Sequence, residues 1–187
     1  MSDAFEDRRK EMEEAFFRKQ NEKLLEKMRH EKQVAVDRQG IARLTGITQD
    51  AVLDTLLAMK LNPETVTAFT LFPLVEVAWA DGAVDAKEKK AVLEGAAQKG
   101  IAPGSAAAEL LEGWLANKPS PKLHDTWKSY VQAMCKNLEP IDRENLKKEL
   151  LGWARQVAQA TGGILGMGEK VSSAEETALH RLAEAFS

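Results

Sequence analysis

Apolar positions along this chain recur mainly at three- and four-residue intervals, and nowhere do they alternate with polar ones in the way a strand requires. Residues 3 to about 38 are dense in charge and free of Gly and Pro, with Phe5, Met12, Phe16, Leu24 and Met28 near one helical stripe and Ala15, Phe17 and Leu25 beside it. Residues 40–61 read as a helical hairpin. Asn62-Pro63-Glu64 places a capping residue before a proline at a first helical position, and Pro73 predicts a kink or restart. Further helices are expected over 86–99, from Ser105 to about Asn117, from Ser120-Pro121 through Leu138, over 142–160, and over 173–186. The fold class is therefore all-α.

The most chemically suggestive stretch is Ala78-Trp79-Ala80-Asp81-Gly82-Ala83-Val84-Asp85-Ala86-Lys87-Glu88. It closes the apolar run that begins at Leu71, turns, and opens a new helix. Gly82 suits the left-handed backbone conformation that ends helices, because it has no Cβ to clash. Asp85 followed by Glu88 has capping-box spacing, each side chain accepting from the other residue's amide. That reading needs no ligand. The alternative is a divalent-cation site built from Asp81, the Ala83 carbonyl, Asp85 and Glu88. Calcium would be expected rather than magnesium, because a backbone oxygen must contribute, and weak binding would follow from so few fixed oxygens. A related turn follows at Ile164–Glu175. There Ser172 and Glu175 keep the cap pattern, while Gly168 stands where Asp81 stands in the first copy. The chain thus carries an internal repeat of two helix–turn–helix units.

An apolar helix running into Ala-Asp-Gly-x-Val-Asp-x-x-Glu, with a second such turn before the last helix, resembles the TerB-like domain of tellurite-resistance and related bacterial proteins. The resemblance spans about residues 62–187. It implies a multi-helix bundle of two helix–turn–helix halves, here preceded by the long N-terminal helix. It also implies metal binding through the acidic turns, onto which Asp81, Asp85 and Glu88 map, and work with membrane and calcium-binding partners in stress responses. The second turn departs from the pattern at Gly168 and Ser172. Three segments result: a charged amphipathic helix over 1–39, a hairpin over 40–61, and a TerB-like domain over 62–187.

Composition narrows the function classes. The chain has 187 residues, 44% of them hydrophobic and 29% charged, with a formal net charge of −3. That balance gives no general attraction to nucleic acid or anionic lipid. The single cysteine, Cys135, rules out an intramolecular disulfide and fits a reducing compartment, so a cytoplasmic location is expected. No apolar stretch is long enough to span a bilayer, and no direct membrane insertion is expected. Residues 41–58 offer a rival reading, since Ala42, Gly46 and Val52 stand at the offsets of a DNA-binding helix–turn–helix. Its recognition helix would present Gln49, Asp50, Leu53 and Asp54, a poor match to phosphates, so no nucleic-acid partner is expected. Gly163, Gly166 and Gly168 superficially suggest a phosphate loop but lack the lysine ending and the preceding strand. His30, His124 and His180 have no ligand-spaced companions, and Cys135 reads as a buried, inert thiol. No catalytic motif is visible. The expectation is a non-enzymatic helical interaction domain whose N-terminal helix docks on its own chain, a second copy or a protein partner.

Overall fold

The computed structural model describes residues 3–161 and 171–186, with side chains described for residue 12, for 14–160 and for 171–186. The helices are α1 (Asp3–Thr45), α2 (Asp50–Ala58), α3 (Val66–Thr70), α4 (Phe72–Ala78), α5 (Ala86–Gln98), α6 (Ala106–Ala116), α7 (Pro121–Cys135), α8 (Pro140–Thr161) and α9 (Ser173–Ala183). A single 3-10 turn, Glu184–Phe186, follows α9. No strand occurs among the described residues. The architecture is all-α with a long N-terminal helix.

Local signals account for most of the boundaries. Asn62 Oδ1 accepts from the amides of Glu64 and Thr65, each at 3.0 Å, and stabilises the turn that leads into α3. Pro73 lies in the first turn of α4, where its missing N–H leaves no bond unmade, so the apolar run restarts at Phe72. Gly100, at φ +84°, ends α5, and the Ile101 amide reaches back to the Ala96 carbonyl at 3.1 Å while Ile101 is buried. Ser105 caps α6 through its hydroxyl, which accepts from the Ala108 amide.

Every residue of α4 is buried. It packs on α8, α9, α5 and α6, while α5 also packs along α8. The α4–α5 and α8–α9 pairs thus lie against each other. Around them runs a continuous aromatic seam: Phe69 touches Phe72, Trp114 and Tyr130, Phe72 touches Trp114 and Trp127, and Trp127 reaches Phe186. The Tyr130 hydroxyl is satisfied by Thr70 at 2.8 Å, and burial pushes its pKa up to about 12. Full burial of each large apolar side chain in such a seam stabilises by about 1.5–3 kcal/mol.

The N-terminal region departs from expectation in two respects. First, α1 does not stop near residue 38 but continues through Gly40 to Thr45, so the hairpin is formed by the end of α1 with α2. Glycine is tolerated there because Pro63 lies over it. A Cβ on Gly40 would meet Pro63 Cγ at 2.3 Å. Second, the stretch from residue 14 to 33 is exposed throughout, so of the alternatives open for α1, docking on its own chain is not what these residues do. Partial burial first occurs at Val34, and the helix is secured to the body by Ile41, which is buried with Ile47, Leu53 and Leu56. Arg38 ties the two hairpin helices by pairing with Asp50 at 2.7 Å and with Asp54.

The Gly40–Pro63 contact makes a prediction. Gly40→Ala adds about 1 kcal/mol of helix propensity, but the proline ring cannot rotate away and overpacking costs about 1–3 kcal/mol. Urea unfolding is expected to show a net loss of stability. A gain would mean that Pro63 does not rest on this glycine.

Candidate functional site

The acidic turn is folded by its own carboxylates. Trp79 ends α4, and the Gly82 amide donates to the Trp79 carbonyl at 3.0 Å with Gly82 at φ +100°. Asp81 Oδ1 accepts from the Ala83 amide at 3.1 Å, a local turn that needs no cation. Asp85 caps α5, with Oδ1 accepting from Lys87 at 2.7 Å and from Glu88 at 2.8 Å. Glu88 Oε2 completes the box by accepting from the Asp85 amide at 2.8 Å. Of the four residues put forward as cation ligands, Asp81, Asp85 and Glu88 each turn a carboxylate oxygen onto a backbone amide, and Ala83 supplies one of those amides. Among the described residues, no group of three or more His, Cys, Asp or Glu side chains is arranged to hold a metal ion.

The second turn repeats the cap. Ser172 Oγ accepts from the Glu175 amide at 3.2 Å, and Glu175 Oε2 accepts from the Ser172 amide at 2.6 Å. The preceding Gly162–Lys170, including the glycines at 163, 166 and 168, lies outside the described residues. Both capping glutamates are buried, Glu88 at 3% exposure and Glu175 at 6%. The Glu88 carboxyl is raised to about 7. Burial is the largest cause, and the negative charges of Asp85, Asp81 and Glu175 add to it, while the Asp85 amide acts the other way.

A second polar cluster was not legible in the sequence. Glu76, the one charge of α4, is buried, and its Oε2 lies 2.7 Å from His124 Nδ1 on α7. Its other oxygen pairs with Arg181 on α9. His124 is therefore not the isolated histidine its sequence spacing implied. A lone charge inside an otherwise apolar buried run is the signal that a partner must exist, because an unpaired buried carboxylate is costly. Chemically the cluster reads as an internal strut joining α4, α7 and α9. Cys135 is buried, and burial raises its thiol pKa while Arg143 acts the other way, as befits an inert thiol.

The rival hairpin also looks different in three dimensions. Leu53, expected to face DNA, is a core residue at 4% exposure, and Asp50 and Asp54 are engaged by Arg38. Ile41 and Ile47 occupy the core positions expected of them.

What the described surface offers instead is α1. Its exposed side chains include Met12 at 74%, Phe17 at 62%, Phe16 at 58% and Met28 at 57%, with Leu24 and Leu25 also open. The Phe16 and Phe17 rings touch edge to face at 6.0 Å. Among the described residues, every large apolar side chain standing open except Ile141 belongs to this helix. No helix among the described residues is long and apolar enough to cross a membrane. Comparison of the chain with protein-family models, curated proteins and solved structures gave no match.

Two predictions follow from the capped turn. Asp85→Ala leaves the Lys87 and Glu88 amides without their acceptor and is expected to cost about 1 kcal/mol, whereas Asp81→Ala, which frees one exposed amide, costs less. Equal losses in chemical denaturation would contradict the capping assignment. For Glu88, the folded pKa near 7 lies above the ordinary carboxyl value. In that window the folded chain holds a proton that the unfolded chain has released. The stabilisation is complete below the unfolded pKa and is lost as pH rises through about 7. With solvent screening at the turn the loss is roughly 1–3 kcal/mol. Glu88→Gln is expected to flatten that slope in denaturant titrations at stepped pH, and an unchanged slope would assign the proton elsewhere.

Proposed function

We propose that this protein is a non-enzymatic interaction module, an all-helical body that holds out residues 12–33 of α1 for a protein partner. The observation that carries the proposal is the placement of exposed aromatic and aliphatic side chains on one projecting helix, while the described body, Ile141 apart, encloses its own large apolar side chains. Twenty-two helical residues extend about 33 Å. An isolated helix of this length is marginal in water, and its apolar side chains gain free energy only when covered. Helix-against-helix docking is the recognition mode that suits such a surface.

The body's role in this reading is mechanical. Gly40 under Pro63, Ile41 in the core and Arg38 between Asp50 and Asp54 fix the direction in which the arm leaves. The capped turns at Asp85 and Ser172 support a TerB-like reading of residues 62–187, because both open their helices with the same box. The Asp81–Glu88 carboxylates serve that fold rather than a reaction.

The test is site-specific photo-crosslinking in cells that make the protein, with the probe at Phe17 or, as control, at exposed Ser129 on α7. Specific protein adducts are expected at position 17 and not at 129. Absence of arm-specific adducts would overturn the reading. Deleting residues 1–33 is expected to leave the melting temperature of the body within about a degree, because residues 14–33 are exposed throughout. A large drop would mean that the arm belongs to the fold.

A further inference from the structure

We propose that the cavity where α7, α8 and the final 3-10 turn meet binds a small organic carboxylate, with its charge on Arg143 and Lys136 and its apolar body against Phe186. This cavity lies in the body, apart from the exposed residues 14–33, so its ligand is a separate matter from the partner of the arm.

The helix register assembles the site. Gln132, Cys135 and Lys136 stand three and four positions apart at the end of α7 and so share one face. Arg143 comes from the first turn of α8, and Ala185 and Phe186 from the turn after α9. These residues line a partly open cavity of about 300 Å³, at the lower end of the range of small-molecule sites.

Its lining carries two cations, one amide and no carboxylate. Glu139, Asp142, Glu144 and Glu184 are close in sequence but exposed, and none of them lines the cavity. Arg143 is half-buried, and among the described residues only its Nη2 meets an acceptor, the Cys135 carbonyl at 2.9 Å. Its Nε is buried without a partner. Arg38, the other half-buried arginine among the described residues, pairs with two carboxylates. A guanidinium drawn partly out of water with so few acceptors bears a desolvation cost that an anion offsets. The bond to Cys135 has a second effect. The last carbonyls of a helix form its negative end and repel anions, and Arg143 covers one of them. Lys136 adds an exposed cation to the lining.

The rest of the lining is of opposite character. Phe186, Cys135 and Ala185 are buried and form an apolar wall. A bare inorganic anion would use the cations alone. An organic carboxylate uses both parts, because its two oxygens match the planar guanidinium fork while its hydrocarbon covers the wall.

Phenylacetate serves as the probe, titrated into the isotopically labelled full chain, with neutral phenylacetamide and inorganic phosphate as controls. The Arg143 side-chain N–H and the Cys135 and Phe186 amides are followed by NMR. Phenylacetate is expected to shift these signals saturably, and neither control to reproduce the shifts at the same concentration. Arg143→Gln is expected to weaken affinity about tenfold or more. Because Arg143 also caps α7, Lys136→Gln at an exposed position is the second variant, with a several-fold loss expected. Absence of a saturable shift in the unmodified chain overturns the proposal, as do equal shifts with phenylacetamide or an affinity unchanged in both variants. Binding of phosphate in place of phenylacetate overturns it too, since it would leave a bare anion site.

Discussion

Everything in the body depends on the complete burial of α4. A seven-residue helix with no exposed position needs neighbours on all sides, and α5, α6, α8 and α9 supply them. The same constraint explains the one polar group in it. Glu76 is tolerated because His124 and Arg181 converge on its two oxygens from α7 and α9. Here the carboxylate is buried while Arg181 stays largely exposed, and losing either partner would strand the buried charge, so the contact penalises every arrangement in which the three elements fail to meet. It therefore acts on the specificity of packing more than on its strength.

Around this centre the polar chemistry of the chain is spent on helix ends. Asp85 with Glu88, Ser172 with Glu175, and Ser105 satisfy amides that a helix start would otherwise leave open, and Asn62 does the same for the turn ahead of α3. Burying Glu88 as a cap partner has a side effect, since lost solvation and the nearby negative charges of Asp85, Asp81 and Glu175 raise its pKa. Lys99 shows the complementary use of a cation, lying 3.5 Å over the Trp153 ring while pairing with Glu149, so that α8 is held to the end of α5. The arm is built on different terms. From residue 14 to 33 its described side chains are exposed, with pairs along the helix itself such as Lys27–Glu31 and Gln33–Asp37.

The parts legible in the sequence are those decided within a few residues. The cap pairs, the restart at Pro73 and the stop at Gly100 depend on local backbone chemistry, and the helical period gave the all-α class. The parts that were not legible are set by distant residues. Glu76 meets His124 and Arg181 across 48 and 105 positions, and no spacing rule connects them. Gly40 looked like a helix boundary, yet Pro63 packs on it and α1 runs straight past. The acidic turn was ambiguous in sequence because the residues that suit a capping box also suit a hard cation. In the structure one carboxylate oxygen of each acid accepts from a backbone amide, the arrangement of a local turn at Asp81 and of a capping box at Asp85 and Glu88. Leu53 fitted a DNA-facing position by offset alone, and the core claimed it.

The central claim is that the fold closes around α4 while the arm stands apart from it. Native-state hydrogen exchange on the full chain measures this residue by residue. The account predicts that amides of α4 exchange only through global unfolding, with the steepest denaturant dependence in the chain, while those of residues 14–33 exchange orders of magnitude faster and independently of denaturant. Amides of α4 that open locally before α8 and α9, or arm amides that share the protection of the body, would contradict it.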